Sequence, residues 1–186
     1  MAHAPKGPEH SAEVRPARPE ELALLGPIEA SAGVRFAHIG LHLEASVPTA
    51  DRGELPLAAF VAGDPPVGFV WLMLVGGQAH VEAIAMAPGS GRQGIGRALL
   101  ERACEWAQGA GYRRVTLCTF RDVPWNGPFY RSAGFEDLPE KEWCDELTAL
   151  RATERANGLD EEGPRVVMVR ALRSVPTTGS TTPGGR

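Results

Sequence analysis

The residues best suited to chemistry lie together in residues 79–100, AHVEAIAMAPGSGRQGIGRALL. Here Pro88, Gly89, Gly91, Gly94 and Gly96 separate an apolar, strand-like run from a helical pattern, with Arg92 and Arg97 among them. Glycine permits positive φ and close approach of the main chain. The first amides of a helix have no internal partners, and its dipole favours negative charge there. The segment therefore outlines an anion cradle, and a pyrophosphate satisfies all three conditions. It is neither of the two common phosphate fingerprints: GxxxxGK[ST] is absent, and Gly94-Ile95-Gly96 is followed by residues 97–100 with no third glycine.

The elements that must position this cradle follow from periodicity and breakers. A short first strand is expected over residues 12–15. Pro19, followed by Glu20 and Glu21, marks a helix start that continues through Leu22, Leu25, Ile28 and Glu29. A second helix is expected over 34–43, where Phe36, Ile39 and Leu43 share a face and His38 and His42 stand four apart; with no further ligand nearby, that pair predicts no metal site. Apolar runs at 57–62, 67–75 and 80–87, separated by Gly63-Asp64-Pro65-Pro66 and Gly76-Gly77, read as three consecutive antiparallel strands. A helix over 95–110 and a strand over 114–120 follow. Beyond them come a short helix at 125–133, a short strand at 135–138, a helix at 141–157 and a closing strand at 165–172. Mixed strands and helices after an antiparallel meander predict an α/β or α+β domain over residues 12–173, with flexible termini at 1–11 and 174–186.

Composition narrows the classes further. With 186 residues, 43% of them hydrophobic, the chain suits one domain with a proper core. A net charge of −4 with scattered basic residues argues against nucleic acid as a partner. No apolar run approaches the ~20 residues that cross a bilayer, and MAHAPKGPEH lacks the apolar stretch of a secretory signal, so a cytoplasmic location without membrane association is expected. Cys104, Cys118 and Cys144 are widely spaced and read as reduced structural thiols.

Two motifs carry a family resemblance. Gly91-Arg92-Gln93-Gly94-Ile95-Gly96 occupies the place of the [Q/R]-x-x-G-x-[G/A] signature of the Gcn5-related N-acetyltransferases (GNAT), after a strand and a proline-containing turn. Phe129-Tyr130-Arg131-Ser132-Ala133-Gly134-Phe135 matches that family's aromatic pair before a glycine and an aromatic. The sequence departs at Gly91, where the family has Gln or Arg, so that Arg92 or Gln93 must supply that contact. It departs again at Val123, where many members carry an asparagine seven residues before the tyrosine; Asn126 lies only four before it. In element order the resemblance covers residues 14–172.

The resemblance implies a central, mostly antiparallel sheet flanked by helices, with acetyl-CoA as cosubstrate. It places main-chain contacts to the pantetheine and acetyl group at Ile84, Ala85 and Met86. The pyrophosphate falls to Arg92, Gln93, Gly94, Ile95, Gly96 and Arg97, with further cofactor contacts at Phe129 and Asn126. The implied reaction is direct transfer of an acetyl group to a primary amine. An alkyl ammonium has a pKa near ~10.4 and must lose a proton before it attacks. Glu82, which on a regular strand shares a face with His80, Ile84 and Met86, is the candidate base, with His80 in reserve. Tyr130 matches the family tyrosine that returns a proton to the leaving thiolate. In such folds the acceptor is lined by the first helices and late loops, here 29–44 and 139–145, which nominates Glu29, Phe36, His38 and Glu44. Trp125 and Trp143 read as packing aromatics. Three functions are compatible: acetylation of a small amine, acetylation of a protein N-terminus or lysine, and acyl-CoA binding without catalysis. An exposed closing strand over 165–172 would allow a homodimer by edge pairing.

Overall fold

The structure, a computed structural model, describes residues 13–41, 49–91 and 93–173. The chain-order elements are β1 (Val14–Pro16), α1 (Leu22–Ala37), β2 (Ala58–Ala62), β3 (Gly68–Val75), β4 (Gln78–Met86), α2 (Ile95–Gly109), β5 (Arg114–Phe120), α3 (Gly127–Ser132), β6 (Glu136–Asp137), α4 (Asp145–Ala156), α5 (Leu159–Glu162) and β7 (Arg165–Ala171). They form a seven-stranded sheet in the order β1-β2-β3-β4-β5-β7-β6. Every pairing is antiparallel except that of β4 with β5, which is parallel.

Helices cover both faces of the sheet. On one face α2 buries Ile95, Leu99, Leu100, Ala103, Cys104 and Ala107 against Phe60, Val70, Leu72, Val81 and Leu117. On the other, Leu25 and Ile28 of α1 meet Val61, Phe69, Trp71 and Ala85, and Leu147 of α4 meets Leu138 and Val167. The apolar stripe that predicted α2 is thus its core face.

Four sequence expectations change. The helices expected to divide near Val34 are one continuous α1, because Ser31, Ala32 and Gly33 do not break an established helix; His42, Leu43 and Glu44 lie outside the described residues. The helix expected over 141–157 is two pieces, a 3-10 turn at Glu140–Glu142 and α4, because Trp143 takes an extended conformation between them. The closing strand is no free edge: β7 runs between β5 and β6, which removes the basis for a dimer by strand pairing.

The fourth change concerns β4. Trp71 lies opposite Ala83 while Leu72 lies opposite Val81, so Glu82 is the extra residue of a β-bulge. Before the bulge Ala79 and Val81 face α2. After it Ile84 and Met86 do, while Ala83 and Ala85 turn toward α1. His80 therefore lies on the opposite face from Ile84 and Met86, and Glu82 does not share one strand face with all three. The bulge aims its carboxylate separately.

Candidate active site

The strands β4 and β5 pair only over Ala79↔Val115, His80↔Thr116 and Val81↔Leu117. From Glu82 to Met86, β4 keeps β3 alone as a neighbour, and beyond Leu117, β5 keeps β7 alone. The sheet opens at the bulge. The facing main-chain edges, Ile84, Ala85 and Met86 among them, have no partner strand and suit an extended ligand that pairs with a strand edge.

At the open end stands the N-terminus of α2. Its N-cap Gly94 has φ +77°, and no side chain caps the helix, so the amides of Ile95, Gly96 and Arg97 are not spent on a capping group. Gly96 keeps the approach close: a Cβ there would stand 3.2 Å from the Met86 sulfur and 3.9 Å from the Phe129 ring. Arg97 donates to Ser132 Oγ at 2.6 Å and lies 5.7 Å from the centroid of Phe129, tying α2 to α3. Gln93 is exposed beside this terminus, and Arg92 lies outside the described residues. A glycine N-cap with an open amide end is the arrangement a pyrophosphate requires, so these residues fit the phosphates of a CoA-type cosubstrate.

Helix α3 carries Tyr130 and sets Phe129 beside the N-terminus of α2. Gly127 allows α3 to sit directly on the Arg121 carbonyl at the end of β5, and Asn126 Nδ2 donates to Thr119 Oγ1 at 2.7 Å. The Tyr130 ring packs between Phe129 and Phe135, with centroids at 5.1 and 5.9 Å, and is 6% exposed. Burial pushes its phenol well above the ordinary range, so it stays protonated.

On the α1 side the site is built from charge. Glu29 of α1 accepts hydrogen bonds from Thr49 N at 2.8 Å and Thr49 Oγ1 at 3.2 Å, and burial raises its carboxyl above the usual range. Three residues on, Arg52 Nη1 donates to Glu82 Oε1 at 2.6 Å, with the two side chains 40% and 19% exposed. Phe36 stands 5.8 Å from both Phe120 and Trp125, and Arg35 lies over Trp125 at 4.6 Å. His38 is exposed just after α1.

Two expectations fail here. His80 is 1% exposed, shares a 2.8 Å hydrogen bond between its Nδ1 and Thr116 Oγ1, and burial pushes it down to about 4, so it is a sealed neutral imidazole rather than a reserve base. The loop 139–145 does not line the opening. Cys144 packs on Gly76 at the other end of β4, and Trp143 Nε1 donates to the Leu138 carbonyl at 2.9 Å. The late segment near the site is instead Gly163 and Arg165: a Cβ on Gly163 would stand 3.5 Å from Phe120, and the Arg165 guanidinium lies over that ring at 4.7 Å. Sequence reasoning missed Thr49, Arg52 and Phe120. Phe120 ends a strand whose position was readable, but the loop residues carry no local signal. Among the described residues, no group of three or more His, Cys, Asp or Glu side chains is placed to hold a metal ion, and no helix is long and apolar enough to cross a membrane.

The chain also resembles known proteins. The model of the acetyltransferase (GNAT) family matches residues 33–135, more than half of the chain. The chain belongs to that family. Solved structures with the same fold include a GNAT-family acetyltransferase from Staphylococcus aureus, at TM-score 0.66 and 12% identity over 88% of this chain and 100% of that one. The ribosomal-protein-S18-alanine N-acetyltransferase of Escherichia coli aligns at TM-score 0.60 and 18% identity, covering 90% and 98% of the two chains. The PaiA N-acetyltransferase of Thermoplasma acidophilum, solved in complex with coenzyme A, aligns at 0.62 and 16%, covering 87% and 99%. The GNAT match ends at Phe135, so Arg165 and the whole of α4 lie beyond it.

Proposed function

We propose that the protein transfers the acetyl group of acetyl-CoA to a primary amine of a small molecule. The observation that carries this reading is the parting of β4 from β5 at Glu82, with the open amide end of α2 on one side and the Glu29 and Glu82 carboxylates on the other. Acetyl-CoA supplies the activated thioester. Residues Ile84, Ala85 and Met86 present strand edge to its pantetheine arm. Gln93, Gly94, Ile95, Gly96 and Arg97 hold the phosphates, and Phe129 and Asn126 border the arm where it passes α3.

Glu82 takes a proton from the ammonium, directly or through one water. The nitrogen–carbon bond then forms as the carbon–sulfur bond breaks. Tyr130, buried and protonated, donates to the departing sulfur, and the net reaction releases one proton. Glu29, Phe36 and His38 border the acceptor. A small-molecule acceptor is favoured over a protein because the Glu82 carboxylate stands where β4 parts from β5, which suits a single compact ammonium.

The test is a thermal-shift measurement with acetyl-CoA followed by an amine panel read by thiol release. The melting temperature should rise with acetyl-CoA, at least one small amine should release thiol, and Tyr130→Phe should keep the shift while losing turnover. Absence of a shift overturns the cosubstrate assignment. A shift without turnover of any amine or peptide identifies a binding module instead.

A further inference from the structure

We propose that the protein holds a second small-molecule site, for an organic anion with an apolar body such as an arylalkyl carboxylate, in a cavity along the outer edge of β7. This inference does not rest on the acyl-transfer reading. The cavity lies on the far side of β7 from the opening between β4 and β5 and presents charges that the proposed reaction does not use.

The cavity exists because β6 is short. It pairs with β7 only through Glu136↔Val169 and Asp137↔Met168, and the Leu138 amide then donates to the Val167 carbonyl at 2.8 Å before the 3-10 turn at Glu140–Glu142. The start of β7 has no strand beyond it on that side. The Arg121 amide takes the Pro164 carbonyl at 2.8 Å, so by alternation the Arg165 main chain points the other way, to the unpaired side. Helices α4 and α5 stand across the gap and leave a cavity of about 370 Å³, a size suited to a small molecule.

Leu138 and Trp143 give the cavity an apolar wall, while Arg151, Arg155 and Arg165 bring positive charge against one lining acid, Asp160. The arginines outnumber the carboxylates that pair with them. Glu154 Oε2 accepts from Arg151 Nη1, and its Oε1 accepts from Arg165 Nη2 at 2.6 Å. Asp160 Oδ1 accepts from Arg151 Nη2 at 2.7 Å, and its Oδ2 accepts from Arg155 Nε at 3.0 Å. All four carboxylate oxygens are taken, and donors remain. Arg165 has a side chain only 8% exposed, and its buried Nε has no hydrogen-bond partner. Arg155 spends only Nε, so both of its Nη groups are unspent among the described residues, on a side chain 65% exposed.

A buried cation short of an acceptor, beside a second cation with donors to spare, is completed by an anion. A carboxylate offers two oxygens that one guanidinium fork can take together. The surplus of positive charge disfavours a cationic ligand, and a bare inorganic anion would leave Leu138 and Trp143 uncovered. All of these residues lie beyond the family match, which ends at Phe135.

The experiment titrates phenylacetate, phenylacetamide and inorganic phosphate into the protein by calorimetry, first without and then with saturating CoA. Phenylacetate should bind in both conditions, about tenfold or more tighter than phenylacetamide, the scale of a charge-assisted hydrogen bond. Arg155→Gln should weaken phenylacetate about tenfold, and Arg155→Lys by less. Because that side chain is mostly exposed, Tm should stay within about 2 °C of wild type in both variants. No binding of phenylacetate up to about 10 mM, equal affinity for the carboxamide, tighter binding of phosphate, or full affinity retained in Arg155→Gln overturns the proposal. So does binding that CoA abolishes, which places the anion at the N-terminus of α2 instead. Acetyl transfer is read in none of these arms, so their failure is separate from failure of the acyl-transfer reading.

Discussion

Glu21 and Glu82 are each paired with arginine, Glu21 with near neighbours in the chain and Glu82 across thirty residues, and the two pairs differ in construction. Glu21 uses both oxygens: Arg15 contacts Oε2 at 2.8 Å and Oε1 at 2.7 Å, Arg18 Nη2 contacts Oε1 at 2.7 Å, and the Arg18 amide contacts Oε2 at 2.8 Å. Its side chain is buried, and Arg15, with Arg18 behind it, holds the carboxyl well below the usual range. The cluster locks β1 to the start of α1. Glu82 has one Arg52 contact, sits on a bulge and faces the opening. A carboxylate whose acceptor sites are all used fixes structure; one with a single exchangeable partner at an opening is available to a ligand.

The largest way to break this comparison is Glu82→Gln, which should lower kcat/KM by about 100-fold, the scale of a lost general base, while melting within about 1 °C of wild type. Equal loss of stability would make Glu82 a structural residue like Glu21. Gly94→Val tests the main-chain side of the same opening. At φ +77° a β-branched residue is strained by about 1–2 kcal/mol, and the acetyl-CoA Kd in a titration should rise about tenfold.

Glu21→Gln should do the reverse of Glu82→Gln, lowering Tm by a few degrees with kcat/KM within about twofold of wild type. Its pH dependence has a definite sign. The folded carboxyl lies below the ordinary value of 4.5, so its stabilisation is present above that pH and is lost as pH falls toward the depressed value. The Tm gap between wild type and Glu21→Gln should be full at pH 7 and close under acid. Glu29 gives the smallest effect and the opposite sign. Burial raises its carboxyl, so its contribution is present below the ordinary value and fades as pH rises through the raised one, a slope that Glu29→Gln should flatten in a Tm-against-pH series.

Much of the frame was legible because it is local. The 114–120 strand forms as read, α2 starts at Ile95 as read, and the three-strand meander sits within a few residues of its expected bounds. Glycine and proline punctuation with a periodic apolar stripe is enough for these elements. What failed was non-local. The loop 139–145 has the right chain position for an acceptor wall, but Cys144 seats it on the β3–β4 turn. The closing strand looked like an edge, and insertion between β5 and β6 makes it interior.

The sequence by itself determined where α2 begins, because positive φ at Gly94 and open helix amides are properties of a few consecutive residues. It likewise gave the short helix that carries Phe129 and Tyr130, read over residues 125–133. Only the tertiary structure decided which carboxylate faces the opening and what holds it. The bulge at Glu82 exists only in the pairing of β4 with β3, and it moves His80 to the opposite face from Ile84 and Met86. Arg52 reaches Glu82 only because Glu29 and Gly26 seat its loop against α1. Strand register and loop docking are set by partners far away in the chain, and no local spacing encodes them.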